Sequence, residues 1–164
     1  MKRIYSVLVE NRSGVLAKVA GLFARRCFNI DSLAVGETFD RDVSCITIVS
    51  SGDKGTLEQI EKQLNKKIDV IKIKTFSEAE SLSRELLLVK VKYNKHNRRD
   101  LFEICNILGT RIVDTSKSLM TIQMCDTPEQ TESLLQMLAA ASISVVEVAR
   151  TGTLALQKCI MSEK

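Results

Sequence analysis

One order of predicted strands and helices occurs twice within the 164 residues of this chain, and it leaves few folds open. In each half the order is βαββαβ. The predicted helices carry apolar residues at i, i+3 and i+7, and the predicted strands are rich in β-branched residues or alternate in polarity. Because the order repeats while the residues do not, the sequence predicts two α+β units of similar topology.

The first half, residues 1–77, is predicted to form one unit. Its strands are expected at 4–10, 33–39, 43–50 and 68–76, and its helices at 15–26 and around 57–64. The run from Ser51 to Gly55 resembles a phosphate-binding loop at first sight. We interpret it instead as the turn before the second helix, with Thr56 and Gln59 as a capping box.

The second half, residues 84–164, is predicted to form the other unit after a small, polar linker at 78–83. Its strands are expected at 86–93, 111–114, 119–125 and 143–149. Asn97 and Asp100 are expected to cap its first helix, and Gly109 to end it. The second helix has a strong start signal, namely an N-cap threonine, an N1 proline and an N3 glutamine at Thr127, Pro128 and Gln130.

The positive charge of the chain lies in its first half. Residues 1–77 carry 13 basic and 9 acidic side chains, a net charge of +4, whereas residues 78–164 carry 11 of each. A local excess of this size is typical of a solvated face, and steering toward an acidic partner is the alternative.

No run approaches the roughly 20 apolar residues of a membrane helix, and the first residues do not form a signal peptide. We therefore expect a cytoplasmic protein with no membrane partner.

The sequence offers little for catalysis or metal binding. Its five cysteines form no CxxC pair and are expected to be reduced, buried thiols: Cys27, Cys45, Cys105, Cys125 and Cys159. The single histidine, His96, lies in a polar segment without clustered ligands, which argues against a catalytic triad or a metal site. The glycines form no GxGxxG and no Walker-type phosphate loop. These observations argue against catalysis by this chain alone.

The candidate binding segment is Asn11–Leu16, between the first strand and the first helix. Unpaired amides at a helix start attract a carboxylate or a phosphate, and the helix dipole adds to that attraction. Gly14 lets a ligand approach the backbone, and the Asn11 amide both donates and accepts, which suits a free amino acid. Asn, Ser and Gly are also ordinary turn and cap residues, so a purely structural role stays open. Asn29 is likewise typical of a helix end with positive φ.

The run from Ser6 to Leu33, SVLVENRSGVLAKVAGLFARRCFNIDSL, resembles the start of an ACT domain. More narrowly, it is similar to the small regulatory subunit of acetolactate synthase, also called acetohydroxyacid synthase. Two further stretches, 57–70 and 145–152, fit that family. The resemblance covers nearly the whole chain and implies two tandem ferredoxin-like units, of which the first is the ACT domain.

The resemblance implies a regulatory subunit with no active site of its own. Its partner would be the catalytic large subunit, which carries thiamine diphosphate, Mg²⁺ and FAD. That enzyme joins two pyruvates, or pyruvate and 2-oxobutyrate, on the way to valine, leucine and isoleucine. The small subunit would activate the large one and confer feedback inhibition by an amino acid, usually valine. No cofactor is expected in this chain.

The resemblance also implies that the amino acid binds between the ACT domains of two chains, in a homodimer built on sheet pairing. One chain would hold the carboxylate and ammonium of the ligand through Asn11 and the backbone of Gly14, Val15 and Leu16. The other chain would complete the pocket with Asn29 and Ile30. The isopropyl group of valine would meet apolar side chains near Leu16 and Ile30.

Two other functions are open to a βαββαβ unit, because a fold does not determine a function. An ACT-domain amino-acid sensor that acts on another enzyme or on transcription would bind its ligand without any effect on acetolactate synthase. An RNA-binding domain would need aromatic side chains on its central strands, and the predicted strand at 43–50 has none. No nucleic-acid partner is therefore expected.

Overall fold

The structure is a computed structural model that describes residues 1–77 and 79–159. It contains two compact units. The first comprises Met1–Ser83 and the described part of Thr153–Lys164, and the second comprises Arg84–Gly152. Within the described residues, no helix is both long enough and apolar enough to cross a membrane.

The first unit contains one complete βαββαβ set. Its elements are β1 (Lys2–Glu10), α1 (Val15–Arg25), β2 (Ser32–Glu37), β3 (Val43–Ser51), α2 (Lys54–Asn65) and β4 (Val70–Phe76). The strands form an antiparallel sheet in the order β2-β3-β1-β4. Tyr5, Val7 and Val9 alternate along β1, and they form one buried core with the apolar stripes of both helices. Burial raises the pKa of Tyr5 to about 12, and its hydroxyl donates to the carbonyl of Leu57.

The second unit repeats this arrangement. Its elements are β5 (Ser81–Lys92), α3 (Arg98–Ile107), β6 (Arg111–Thr115), β7 (Leu119–Asp126), α4 (Pro128–Ala140) and β8 (Ser144–Arg150). The last strand, β9 (Leu154–Gln157), belongs to the first unit. The strand order β6-β7-β5-β8 corresponds position by position to that of the first unit. Leu87, Val89 and Val91 of β5 form a second core with α3 and α4. The predicted α+β class, with two ferredoxin-like units, is confirmed.

Two strand features differ from the sequence prediction. β5 begins at Ser81, inside the segment predicted to be a linker, because its first residues alternate between buried and exposed positions although most of them are polar. β9 has no counterpart in the prediction. It is only four residues long, too short for a periodic signal, and it pairs with β5. Its Ala155 is buried with Ile4, Val49 and Phe76.

The starts of the helices were predicted with mixed success. Thr127 accepts a hydrogen bond from the Gln130 amide at 3.4 Å, as expected. The capping box at Thr56 and Gln59 is wrong, because the N-cap of α2 is Asp53, which accepts from the Thr56 amide at 2.8 Å. That bond and one from the Thr56 hydroxyl hold the pKa of Asp53 below its usual value.

The N-cap of α3 and the cysteines also depart from expectation. Asn97 occupies the N-cap position, but its side chain accepts from the Asn94 amide before the helix and caps no helical amide.

All five cysteines are free thiols. The prediction that they are buried is wrong for the three exposed ones, Cys27, Cys125 and Cys159. Cys27 follows the end of α1, and Cys125 lies on the face of β7 opposite its buried residues, so the position of each in the fold leaves its side chain exposed.

Candidate functional site

Gly14 gives the loop between β1 and α1 its shape. It is the N-cap of α1 and adopts a left-handed conformation, φ +86° and ψ −11°, which strains any residue with a Cβ. A Cβ built at this position meets no atom within 4 Å, so the backbone faces open space. The loop is anchored at its other end, where the Asn11 amide donates to the carbonyl of Asp42 at 2.7 Å.

The first turn of α1 offers free hydrogen-bond donors. The Val15 amide donates to the carbonyl of Arg12 at 3.3 Å, and no side chain caps the helix. The amides of Leu16 and Ala17 have no acceptor among residues 1–77 and 79–159. Two N–H groups at the positive end of the helix dipole are therefore available to an anion.

The Asn11 side chain is held by a hairpin that lies far away in the sequence. Its Nδ2 donates to Glu37 Oε1 at 3.3 Å and to the carbonyl of Arg41 at 2.8 Å. In the part of the chain that the structure describes, no donor contacts Asn11 Oδ1, so this oxygen is free to accept a hydrogen bond. The sequence does not reveal Glu37 and Arg41 as partners of Asn11, because they are 26 and 30 residues away along the chain.

The two apolar residues of the loop have different surroundings. Val15 is 3% exposed and its side chain belongs to the core of the first unit, so it can offer a ligand only its backbone. Leu16 is 42% exposed on the first turn of α1. The structure thus brings together four of the predicted residues, Asn11, Gly14, Val15 and Leu16, around one exposed helix start.

Asn29 and Ile30 lie after α1. The Asn29 side chain donates to Asp31 Oδ1 at 2.5 Å, and its carbonyl accepts from Ser50 Oγ at 2.6 Å. Ile30 is half-buried against the core of the first unit. The interpretation of Asn29 as a helix-ending residue with positive φ is wrong, since Cys27 takes that conformation at φ 54°.

Within a single chain, Asn29 and Ile30 do not lie near the loop that contains Asn11 and Gly14. The Asp31 amide donates to the carbonyl of Val49, which pairs with Ile4 near the start of β1, whereas Asn11 follows the end of β1. From Ile4 to Glu10 the strand rises by about 20 Å, at roughly 3.3 Å per residue. The two halves of the predicted site therefore lie at opposite ends of the sheet.

A cavity of the first unit lies elsewhere. Its volume is about 270 Å³, and it lies on the sheet face opposite the helices, lined by Ser6, Leu8, Cys45 and Lys74 among others. None of the predicted site residues lines it. Among the described residues, no group of three His, Cys, Asp or Glu side chains is placed to share a metal ion.

Comparison with known proteins gives two family matches that follow one another along the chain. Residues 5–72 match the model of the AHAS small subunit-like ACT domain, where AHAS stands for acetohydroxyacid synthase. Residues 84–159 match the model of the small subunit of acetolactate synthase.

Individual relatives agree with these matches. The acetolactate synthase small subunit of Mycolicibacterium smegmatis is 46% identical over 93% of this chain and 89% of its own length. The isozyme 3 small subunit of Salmonella typhimurium is 39% identical over 96% of both chains. A crystal structure of the small subunit from Thermotoga maritima superimposes with a TM-score of 0.89, at 34% identity, over 98% of this chain and 99% of that one. The chain therefore belongs to the acetolactate synthase small subunit family, and its first unit is an ACT domain.

Proposed function

We propose that this chain is a non-catalytic regulatory subunit that activates the large catalytic subunit of acetolactate synthase and makes it sensitive to feedback inhibition by valine. Thiamine diphosphate, Mg²⁺, FAD and the reaction itself belong to the large subunit in this proposal, and both subunits work in the cytoplasm. Membership of the small subunit family along both units supports the partnership.

The observation that carries the proposal is the set of unused polar groups around the start of α1. The amides of Leu16 and Ala17 are placed to donate to a carboxylate, and Asn11 Oδ1 is placed to accept from an ammonium group. A free α-amino acid presents both groups on one carbon. The exposed side chain of Leu16 then offers apolar contact to the side chain of the ligand.

Pairing of two chains through β2 would complete the site. Asn29 and Ile30 precede the start of β2, and Glu37, which holds Asn11, is its last residue. When two copies of one strand pair antiparallel about a two-fold axis, the start of each lies beside the end of the other. The partner's Asn29 and Ile30 would then lie near the loop at Asn11, twice per dimer.

The charges on the two edge strands favour β2 as the pairing edge. β4, at the other edge of the sheet, carries Lys72 and Lys74, and charged side chains on an edge strand discourage pairing with another chain. β2 reads SLAVGE and carries no charge before Glu37. Among the described residues β2 pairs only with β3, which leaves its outer edge unpaired.

Ligand binding at such a site would be coupled to the geometry of the dimer. Each site would be built from both chains, so a ligand favours the dimer arrangement in which the two halves fit it best. Inhibition follows if that arrangement activates the large subunit less. Couplings of this kind are typically about 1–3 kcal/mol, roughly 5–150-fold in affinity or response.

The test is calorimetric titration of the chain with valine, leucine and isoleucine, together with assays of the large subunit with the chain added. We expect saturable valine binding, activation without valine, and inhibition with it. Asn11→Ala should weaken binding, but it also removes the two hydrogen bonds from the Asn11 side chain to the β2–β3 hairpin. Gly14→Asp therefore serves as the second variant, with Gly14→Ala as its control, since both strain the backbone and only the first adds a negative charge.

Gly14→Asp should abolish valine binding and inhibition while activation persists, and Gly14→Ala should bind more tightly than Gly14→Asp. If Gly14→Asp still binds valine like the wild type, the loop is not the effector site. Valine binding without any effect on the large subunit would instead indicate a sensor that acts on another enzyme or on transcription.

A further inference from the structure

The cavity of the first unit lies over the sheet face that the helices leave open. Ser6 and Leu8 belong to this face, since they alternate with the core residues of β1. Cys45 of β3 and Lys72 of β4 pair with Leu8 on either side, and Lys74 pairs with Ser6. Cross-strand partners share a face, so the register brings these five side chains to one cavity of about 270 Å³.

The lining of this cavity combines an apolar surface with two positive charges. Leu8 and Phe76 contribute to the apolar part, and β9 forms one wall, because its Ala155 is buried against Phe76. Lys72 and Lys74 supply the charge, and none of the described residues that line the cavity is acidic. In the part of the chain that the structure describes, no ion pair includes either lysine.

The second unit contains the matching cavity, and there the charges cancel. The register of β1 with β4 shifts directly after Leu8, and that of β5 with β8 shifts directly after Lys90, so these two residues occupy the same position. Leu8 is paired with Lys72, whereas Lys90 is paired with Glu147 and contacts its carboxylate at 2.6 Å. The matching cavity, which Lys90 and Glu147 both line, holds about 140 Å³. The duplicated fold therefore contains this cavity once in a small, internally neutralised form and once in a larger, positively charged form.

We propose that the cavity of the first unit binds a small monocarboxylate with an aliphatic body. The carboxylate pairs with Lys72 and Lys74, where the second unit uses its own glutamate, and the Ser6 hydroxyl is a further donor. The aliphatic body covers Leu8 and Phe76 and removes their surface from water. An inorganic anion would leave this apolar surface uncovered, and a neutral hydrocarbon would leave the two cations without a partner.

The first test is calorimetric titration of the full chain with hexanoate, hexan-1-ol and hexylammonium. We expect saturable binding of hexanoate, at least tenfold tighter than that of hexan-1-ol, and no binding of hexylammonium. Saturating valine should leave the hexanoate affinity unchanged. The cavity contains none of the residues of the proposed effector site, so this inference does not rest on the proposed function.

The second test reverses the two charges. Lys72→Glu combined with Lys74→Glu should weaken hexanoate binding at least tenfold, because carboxylates then face the carboxylate of the ligand. β4 stays charged in this variant, so its edge does not become more prone to pairing. Lys62→Glu combined with Lys66→Glu is the matched control, since it makes the same change of net charge at the end of α2, on the other side of the sheet. The control should bind hexanoate like the wild type, and circular dichroism melting curves should show that both variants are folded.

The third test uses Cys45 as a reporter inside the cavity. Cys45 is half-buried and lines the cavity, whereas Cys125 is exposed on β7 of the second unit. Hexanoate at saturation should slow the alkylation of Cys45 by iodoacetamide at least threefold and leave that of Cys125 unchanged. Peptide mass spectrometry measures both thiols in the same sample.

Several results would overturn the proposal. Absence of saturable hexanoate binding, or equally tight binding of hexan-1-ol, would show that the cavity does not recognise an organic anion. Displacement of hexanoate by valine would place the carboxylate at the start of α1 instead. If Cys45 fails to react in the absence of hexanoate while Cys125 reacts, the cavity is covered by a second copy of the chain and not by a small molecule.

Discussion

Ser142 and Cys27 carry a backbone conformation that glycine adopts at lower cost. Among the described residues they are the non-glycine residues with positive φ, each at 54°. Both follow a helix end at which two amides bond back to the last turn. After α4 the Ser142 amide donates to Ala139 O and the Ile143 amide to Leu138 O. Gly109, at φ 61°, takes the same position after α3.

We predict that Ser142→Gly stabilises the protein. Relief of the left-handed strain exceeds the entropy cost of an added glycine, so the free energy of unfolding should rise by about 0.5–1 kcal/mol. Gly109→Ala is the reciprocal change and should lower it by about 1 kcal/mol through dihedral strain alone, because a Cβ there meets no atom within 4 Å. Urea unfolding at one protein concentration measures both. A loss of stability in Ser142→Gly would contradict the argument.

The same residues show what local sequence can predict about single positions. Gly109 and Thr127 were predicted correctly, since each is the residue type that its position favours most. Cys27 takes the left-handed position that Asn29 was expected to take, because the Phe28 amide bonds to Phe23 O and the two aromatic rings meet edge to face at 6.2 Å. That contact fixes where the helix ends, and neither propensity nor spacing shows it.

At the scale of strands and helices, the two units share a bulge. The register of β1 with β4 shifts between Leu8 and Val9 and leaves Ile71 unpaired, and the register of β5 with β8 shifts between Lys90 and Val91 and leaves Val146 unpaired. Both bulged residues are 56% exposed. Alternation along a sequence predicts a regular strand, so the βαββαβ order of each unit was predictable while the bulges, the early start of β5 and the additional strand β9 were not.

A polar network joins β5, β8 and α4. The Glu85 side chain, 4% exposed, accepts from Arg150 Nη2 at 2.5 Å and Nε at 3.1 Å, and also from the hydroxyl of Thr131. Arg150 is 35% exposed and has a second acid, Glu132, at 3.5 Å. These bonds raise the pKa of Arg150, which keeps it charged, and its bond to Glu85 is the largest cause. The cation thus has solvent and a second partner, while the buried carboxylate depends on this cation.

We predict that the two sides of this network contribute unequally to stability. Arg150→Met leaves a buried carboxylate without its cation and should lower the free energy of unfolding by about 3 kcal/mol. Glu85→Gln keeps an acceptor in place and leaves Arg150 with Glu132 and water, so its cost should be about 1 kcal/mol. Urea unfolding of both variants, at equal protein concentration, tests the order. An equal or larger loss in Glu85→Gln would show that burial of the carboxylate does not dominate.

For the whole molecule, the resemblance implied that the residues of the proposed effector site come from two chains, and the structure adds how far apart the two groups lie within one chain. Four of the six predicted residues share one helix start, because they are adjacent along the chain. Asn29 and Ile30 lie at the other end of the sheet, and only the strand register shows it. A site divided in this way binds an amino acid as proposed only if two chains bring complementary ends together. Dimerisation and effector binding should therefore be lost together.

We predict that a charge on the β2 edge separates the dimer. Val35 is 46% exposed on β2, and Val35→Lys gives this strand the kind of side chain that discourages pairing. Ile71→Lys is the matched control, since Ile71 is 56% exposed on β4, which already carries two lysines. Analytical ultracentrifugation at micromolar concentration should show a monomer for Val35→Lys and a dimer for Ile71→Lys. Calorimetry should show valine binding only in the second. A Val35→Lys monomer that binds valine like the wild type would place the whole site within one chain, and a Val35→Lys dimer would place the interface elsewhere.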